Sequence, residues 1–250
     1  MIRVCVAGIT GWTGAPVAEA VRAADDLELA AGVSRSAPGH FSSVAEALDA
    51  VDVDVLVDYT HAAAVEGNVG AALERGVGVV VGSSGLSADD YDALDASARE
   101  RGVGVIAAGN FSLAAALLVR FATEAAAEFE SWEVIDYGSA GKEDAPSGTS
   151  REVAERLGAV RRPALGVPLD EVLGMPDARG ATVSGTQVHS LRLPGFVVST
   201  EVVFASAGER LTLHHDAGLT PAPYIAGTLL AIRSLPGRVG VTRGLDRLLP

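Results

Sequence analysis

Five short apolar runs, each followed by a helical pattern, dominate the first 110 residues of this chain. They are IRVCVAG from Ile2, LELAAGVS from Leu27, DVDVLVDYT from Asp52, GVVVGSSG from Gly78 and GVIAAGNFS from Gly104. A strand with one wet face alternates apolar and polar residues, whereas near-continuous apolar runs belong to strands covered on both faces. Helices fill the intervals: about Ala15 to Ala24, then SSVAEALDA, AAVEGNVGAALERG and SADDYDALDASARERG. In the last of these, Ser87 is placed to cap the start, with acids in the first turn and arginines in the last. The pattern predicts a parallel sheet of Rossmann type, with crossover helices on both sides. Apolar residues make up 48% of the chain and aromatics 5%, so the core is built largely from Val, Ala and Leu.

The rhythm changes after Asn110. A helix is expected over about Leu113 to Phe129, a strand in SWEVIDYGS and a second helix from about Thr149 to Leu157. A loop from Val160 to Gly180 follows, then three strand-like stretches, TQVHSLRL, FVVSTEVVFAS and ERLTLHHDAG. Val188, Ser190 and Arg192 alternate in a way that suits an antiparallel sheet with one polar face. The closing APYIAGTLLAIRSLP is helical again. These patterns predict an α/β protein. Residues 1–110 and about 217–250 form a dinucleotide-type domain, and about 111–216 an α+β domain with a mixed or antiparallel sheet.

Charge and composition exclude several classes of function. A formal net charge of −13 opposes a nucleic-acid or anionic-membrane partner. No run approaches the length of about 18 apolar residues that a membrane span requires. Arg3 interrupts the first apolar segment, so no secretory leader is read there, and a cytoplasmic location is expected. Cys5 is the sole cysteine, and the five histidines lack ligand-type spacing with carboxylates, so no metal site is expected.

The turn after the first strand carries Gly8-x-x-Gly11-x-x-Gly14. Glycines at such a turn let backbone N–H groups approach a diphosphate at the start of a helix. Spacings of three and three replace the usual two and three, with Thr10 where a glycine is customary, but the strand–turn–helix context is correct. At the tip of the second strand stand Ser34, Arg35 and Ser36, with no carboxylate to hold ribose hydroxyls. A guanidinium there suits a 2′-phosphate, which favours NADPH, with NADH as the alternative cofactor.

Lys142 is the only lysine among nineteen cationic residues. It precedes DAPSGTS, which places Pro146, Ser147, Gly148 and Thr149 at the start of a helix. First-turn N–H groups, hydroxyls and the helix dipole form an anion site with a carboxylate or phosphate as its expected guest. Elsewhere every cation is arginine, so the retained lysine points to a chemical role.

Taken together, GKEDAPSGT, the Gly-rich turn, VDYT, VVGSSG, AGNFS and VHSLR resemble the dihydrodipicolinate reductase family. The resemblance implies a nucleotide domain completed by the C-terminus and an α+β domain that binds substrate and builds a homotetramer. By the same resemblance the cofactor diphosphate lies at Gly8, Thr10, Gly11, Trp12 and Thr13, and a 2′-phosphate lies near Arg35 with Ser34. The nicotinamide lies near Gly82, Ser83, Ser84, Ala108, Asn110 and Phe111. Gly148 and Thr149 would hold a substrate carboxylate, and Lys142 would serve as an acid or a carboxylate partner. His189, in VHSLR, is a further candidate for the substrate pocket.

Departures from the family's pattern accompany these matches. The family's histidine pair falls at Gly138 and Ser139. Its Gly-Glu-His falls at Val198, Ser199 and Thr200, and its Ser-Arg at Leu219 and Thr220. The expected activity is therefore NADPH-dependent reduction of a small cyclic imine, or conjugated imine, carboxylate by altered acid/base groups. Ser139 and Tyr137 are candidate replacement hydroxyls. Authentic dihydrodipicolinate reduction and a non-catalytic NADPH-binding sensor are the alternatives.

Overall fold

A computed structural model describes residues 1–196 and 198–250. Val197, inside the expected strand FVVSTEVVFAS, lies outside the described residues. The chain divides into two compact units, Met1–Leu113 with Pro221–Pro250, and Ala114–Thr220.

In the first unit, β1 (Ile2–Ala7), α1 (Gly14–Ala23), β2 (Leu27–Val33), α2 (Val44–Ala50) and β3 (Val55–Asp58) follow in order. Then come α3 (Ala62–Glu74), β4 (Gly78–Val81), α4 (Ala88–Arg101) and β5 (Gly104–Ala107). The five strands are parallel, as their continuous apolar runs require. Val4, Val6, Val57, Val80 and Ile106 are fully buried, because helices cover the sheet on both sides. Ser87 and Asp90 exchange side-chain-to-backbone hydrogen bonds at the start of α4, a reciprocal cap that fixes where this helix begins.

One strand of this sheet was not anticipated from the sequence. After α5 (Leu113–Glu128), β6 (Ser131–Gly138), α6 (Gly148–Val160), β7 (Ala181–Val183), β8 (Thr186–Arg192), β9 (Val198–Ala205), β10 (Arg210–Asp216) and α7 (Ala222–Ser234), the chain adds β11 (Gly240–Arg243) beside β5. Four residues, one glycine and one arginine among them, carry no apolar run, so only the free edge of β5 selects them as a strand. The sheet order is β11-β5-β4-β3-β1-β2. The order in which strands are added reverses at β1, which has β2 on one side and β3 on the other. Open parallel sheets hold ligands beyond the carboxyl ends of the strands at such a point.

The second unit has a mixed sheet in the order β10-β9-β6-β8-β7. Burial alternates along β6: Trp132, Val134, Asp136 and Gly138 face inward, and Ser131, Glu133, Ile135 and Tyr137 face the other way. Leu118, Val119, Ala122 and Ala126 of α5, with Val153, Ala154 and Leu157 of α6, pack on the inward side around Phe204. The expected antiparallel setting of Val188, Ser190 and Arg192 holds only at Val188, which pairs antiparallel with Ala181 of β7; along all three residues β8 runs parallel to β6. Nor do these residues form a solvated face: Val188 is in the core, while Ser190 and Arg192 hydrogen-bond the buried Asp136.

The opposite face of this sheet carries paired charges. His214 lies between Glu201 (3.1 Å) and Asp216 (3.1 Å), its ring edge-on to Tyr137, and Ser199 donates to Asp216. Partial burial opposes charge on His214, but the two carboxylates outweigh it and raise its pKa. On the other side of the sheet His215 is shifted down, chiefly by burial. A histidine whose folded pKa is raised contributes stability below its unfolded value of about 6.5 and loses it as pH rises through the folded value. His215 acts with the opposite sign, so the comparison must isolate His214. The Tm difference between wild type and His214→Gln is expected to be largest near pH 5.5 and to shrink steadily above about pH 6.5. Thermal melts over pH 5–9 check this, and a difference that grows with pH would contradict it.

Among the described residues no helix is long and apolar enough to cross a membrane.

Candidate active site

Two groups of predicted site residues emerge, one in each unit. In the first, the turn between β1 and α1 is too tight for side chains. Gly8 has φ +79°, and a Cβ on it would lie 2.3 Å from the Tyr59 carbonyl oxygen. A Cβ on Gly14 would lie 2.1 Å from the Gly8 carbonyl oxygen, which itself accepts from Gly11 N–H at 2.8 Å. Thr10, Gly11, Trp12 and Thr13 therefore form a glycine-enforced loop ahead of the N-terminus of α1. Such a loop fits the diphosphate of a dinucleotide, since backbone donors and the helix dipole converge there.

Around this loop stand the carboxyl ends of the neighbouring strands. Thr10 Oγ1 and Ser34 Oγ lie 3.1 Å apart, tying the turn to the tip of β2, where Arg35 is exposed. Buried Asp58, at the end of β3, accepts from Thr60 Oγ1 (2.7 Å), Asn68 Nδ2 (2.7 Å) and Ser83 Oγ (2.5 Å). This carboxylate is the hub that fixes the loops after β3 and β4. Gly82 is required there, because a Cβ would fall 2.2 Å from the Tyr59 ring. Ser84 is exposed and Ala108 half-buried. Asn110 Oδ1 accepts from Ser112 N–H and shapes the loop after β5. Phe111 is buried, in edge contact with Tyr59, so its ring is a core group, while the backbone on either side borders the strand ends. Cys5 is inert: burial first, and nearby Asp58 second, push its thiol up to about 12.

The second group is in the α+β unit. Ser139 occupies an exposed turn in which its carbonyl accepts from Lys142 N–H (3.0 Å), and Lys142 Nζ pairs with Asp144 Oδ1 at 2.6 Å. The chain then crosses a cis Ala145–Pro146 bond to Ser147, the cap of α6. Ser147 is 2% exposed, its N–H donates to Asp136, and its hydroxyl accepts from Ser150 N–H. Ser147 thus builds the cradle from beneath. The first-turn N–H groups of Gly148 and Thr149 carry the anion-facing geometry of a helix start.

Asp136 is the residue that sequence reasoning missed. It is fully buried and accepts from Ser147 N–H, Ser150 Oγ, Ser190 Oγ and Arg192. Burial would raise its pKa, but the bonds from Ser147, Arg192 and Ser150 outweigh that and hold it below the usual carboxylate value. Two positions that depart from the family pattern touch this network. Thr200 pairs with Ser150 Oγ at 2.9 Å, and Gly138 lies against Arg192. Two other candidates fall elsewhere. His189 turns to the opposite sheet face and pairs with Glu133 at 2.7 Å, and Tyr137, on that same face, donates to Glu201. Neither shares the face that holds Arg192.

Comparison with known proteins covers the chain end to end. The family "Dihydrodipicolinate reductase, N-terminus" matches residues 2–111, and "Dihydrodipicolinate reductase, C-terminus" matches residues 114–249. A 4-hydroxy-tetrahydrodipicolinate reductase of Cutibacterium acnes is 38% identical over 100% of this chain and 99% of its own. One from Nocardia farcinica is 40% identical over 99% and 98%. A solved dihydrodipicolinate reductase from Paenisporosarcina sp. TG-14, bound to dipicolinate, superposes with a TM-score of 0.81 at 27% identity, over 100% of both chains. The fold alone is shared with GenD2 from gentamicin A biosynthesis, solved in complex with NAD, at a TM-score of 0.68 and 18% identity over 99% of this chain and 90% of GenD2. Both halves of the chain, its mixed second sheet and its full-length relatives agree: it belongs to the dihydrodipicolinate reductase family of NAD(P)H-dependent oxidoreductases acting on C=N or conjugated C=C bonds.

Proposed function

We propose that the chain reduces dihydrodipicolinate, the reaction for which its family is named, with NADPH as reductant and Lys142 as the group that completes proton transfer. The observation that carries this reading is the Lys142–Thr149 segment, where one lysine and one helix start stand together over a buried polar network. The expectation of an altered substrate gains no support from relatives that share 38–40% identity and one name. It survives as a second reading on one observation, that Gly138 and Ser139 offer no imidazole where the family pattern places two.

The hydride comes from NADPH when it is bound. Gly148 and Thr149 N–H groups, with the dipole of α6, hold one substrate carboxylate and so fix which ring carbon is presented. Ser147 and Asp136 keep that helix start in place. Lys142 delivers the proton that balances the hydride, or neutralises the second carboxylate beside the reacting bond. Ser139, next to it in the turn, is the hydroxyl available to relay. Arg35 and Ser34 account for the phosphate preference. Arg35→Ala is expected to weaken NADPH about 10–100-fold, the scale of one lost charge-assisted hydrogen bond, and to leave NADH unchanged. Fluorescence titration with both nucleotides checks this; equal losses for both would reassign Arg35 to the fold.

The deciding assay follows NADPH oxidation with dihydrodipicolinate and with cyclic imino acids bearing one carboxylate. Turnover of the diacid well above the monoacids is expected. Preference for a monoacid would favour the second reading, and tight NADPH binding without oxidation by any imine would favour a sensor. A homotetramer built through the second unit, and a cytoplasmic site of action, complete the proposal; light scattering of the purified protein tests the former.

A further inference from the structure

The turn that forms the cradle is held at both of its ends by one ion pair, between a fully buried carboxylate and a partly buried guanidinium. Arg192 Nη2 donates to Asp136 Oδ2 at 2.7 Å and to the Asp144 carbonyl at 2.6 Å. Asp136 in turn holds Ser147 N–H at 2.9 Å and Ser150 Oγ at 3.0 Å. Residues 144 and 147 bracket the segment that enters α6, so these two side chains set the distance and tilt between the lysine loop and the helix start. Gly138 lies directly against this guanidinium. A Cβ at Gly138 would lie 3.0 Å from Lys142 Cδ and 3.1 Å from Arg192 Cζ and Nε. That is tighter than ordinary packing on both at once. Arg192 Nε is buried with no hydrogen-bond partner, so the guanidinium is held by its other two nitrogens alone.

We propose that Asp136 and Arg192 are positioning residues for substrate, clamping the Asp144–Ser147 turn so that Lys142 and the Gly148–Thr149 N–H groups face one carboxylated ligand. The inference rests on the carboxylate-cradle reading above.

Arginine is needed for its geometry as well as its charge. Nη2 serves the Asp136 carboxylate and the Asp144 carbonyl while Nη1 donates to the Leu191 carbonyl at 2.8 Å, whereas a lysine offers a single nitrogen for all three. Three variants of the full chain separate positioning from mere stability: Arg192→Lys, Arg192→Met and Gly138→Ala. For each, titration with dipicolinate gives a binding constant independent of turnover, melting gives Tm, and steady-state kinetics split KM from kcat.

Arg192→Lys is expected to keep a Tm close to wild type, because Asp136 keeps a cation, yet to bind dipicolinate about 10-fold more weakly and raise KM more than it lowers kcat. Arg192→Met is expected to lose about 100-fold in dipicolinate affinity with a clear fall in Tm. Gly138→Ala, with the ion pair intact, is expected to weaken dipicolinate about 10-fold. NADPH affinity should not move in any of them. Variants whose Tm falls while dipicolinate affinity stays at the wild-type value would overturn the inference and leave the pair a structural one. If wild type itself shows no dipicolinate binding, the cradle reading fails, which is a separate outcome from failure of the clamp.

Discussion

Lys142→Met is expected to lower kcat about 10²–10⁴-fold, the usual contribution of one positioned proton donor, with NADPH affinity unchanged. The side chain is three-quarters buried against its own loop, paired with Asp144, and it is the only lysine in the chain. Lys142→Arg separates its two candidate roles. Arginine keeps the positive charge but is not a proton donor near neutral pH. A variant as slow as Lys142→Met identifies an acid, whereas recovery of activity identifies a carboxylate partner. Full activity in Lys142→Met would remove the lysine from the mechanism.

Gly14→Ala is expected to weaken NADPH binding about 100-fold, because a shift of about 1 Å in an aligned site costs that much. The new methyl would sit 2.1 Å from the Gly8 carbonyl oxygen, and backbone cannot swing away as a side chain can. The loop must open and carry its N–H groups with it. Gly11→Ala meets the same oxygen at 3.0 Å and should lose less. Gly67→Ala on α3, where a Cβ meets nothing within 4 Å, should bind NADPH like wild type. Calorimetric titration of the three variants checks the order, and a Gly14→Ala protein that binds as tightly as wild type would show that the diphosphate does not use this turn.

Much of the first unit was legible because its signals are local. A continuous apolar run specifies a strand covered on both faces, whatever the rest of the chain does. A glycine with φ +79° leaves its mark as a glycine, and Ser87 with Asp90 caps α4 from three residues away. The start of α6 was legible for the same reason, since Pro146, Ser147, Gly148 and Thr149 carry a helix start within four residues.

The unread parts depend on distant partners. β11 is a strand only because β5 offers an open edge 136 residues earlier in the chain. Ser190 and Arg192 look like the wet side of an antiparallel strand, until β8 pairs in parallel with β6 and turns them onto Asp136. Asp136 itself, between Ile135 and Tyr137, resembles any strand acid; its partner Arg192 is 56 residues away. His189 enters the candidate site through its place in VHSLR and Tyr137 through its nearness to Lys142, and the two-residue alternation of a strand sends both to the other face.

By itself the sequence determined the parallel nucleotide-type sheet, the glycine turn, the helix start that follows Lys142 and the family to which they belong, because each is written in residues that act on their near neighbours. Only the tertiary structure decided what stands behind the cradle. A buried carboxylate needs donors from every side to remain charged out of water, and those donors, Ser147 and Ser150 at the start of α6 and Ser190 and Arg192 on β8, come from two elements that folding alone brings together.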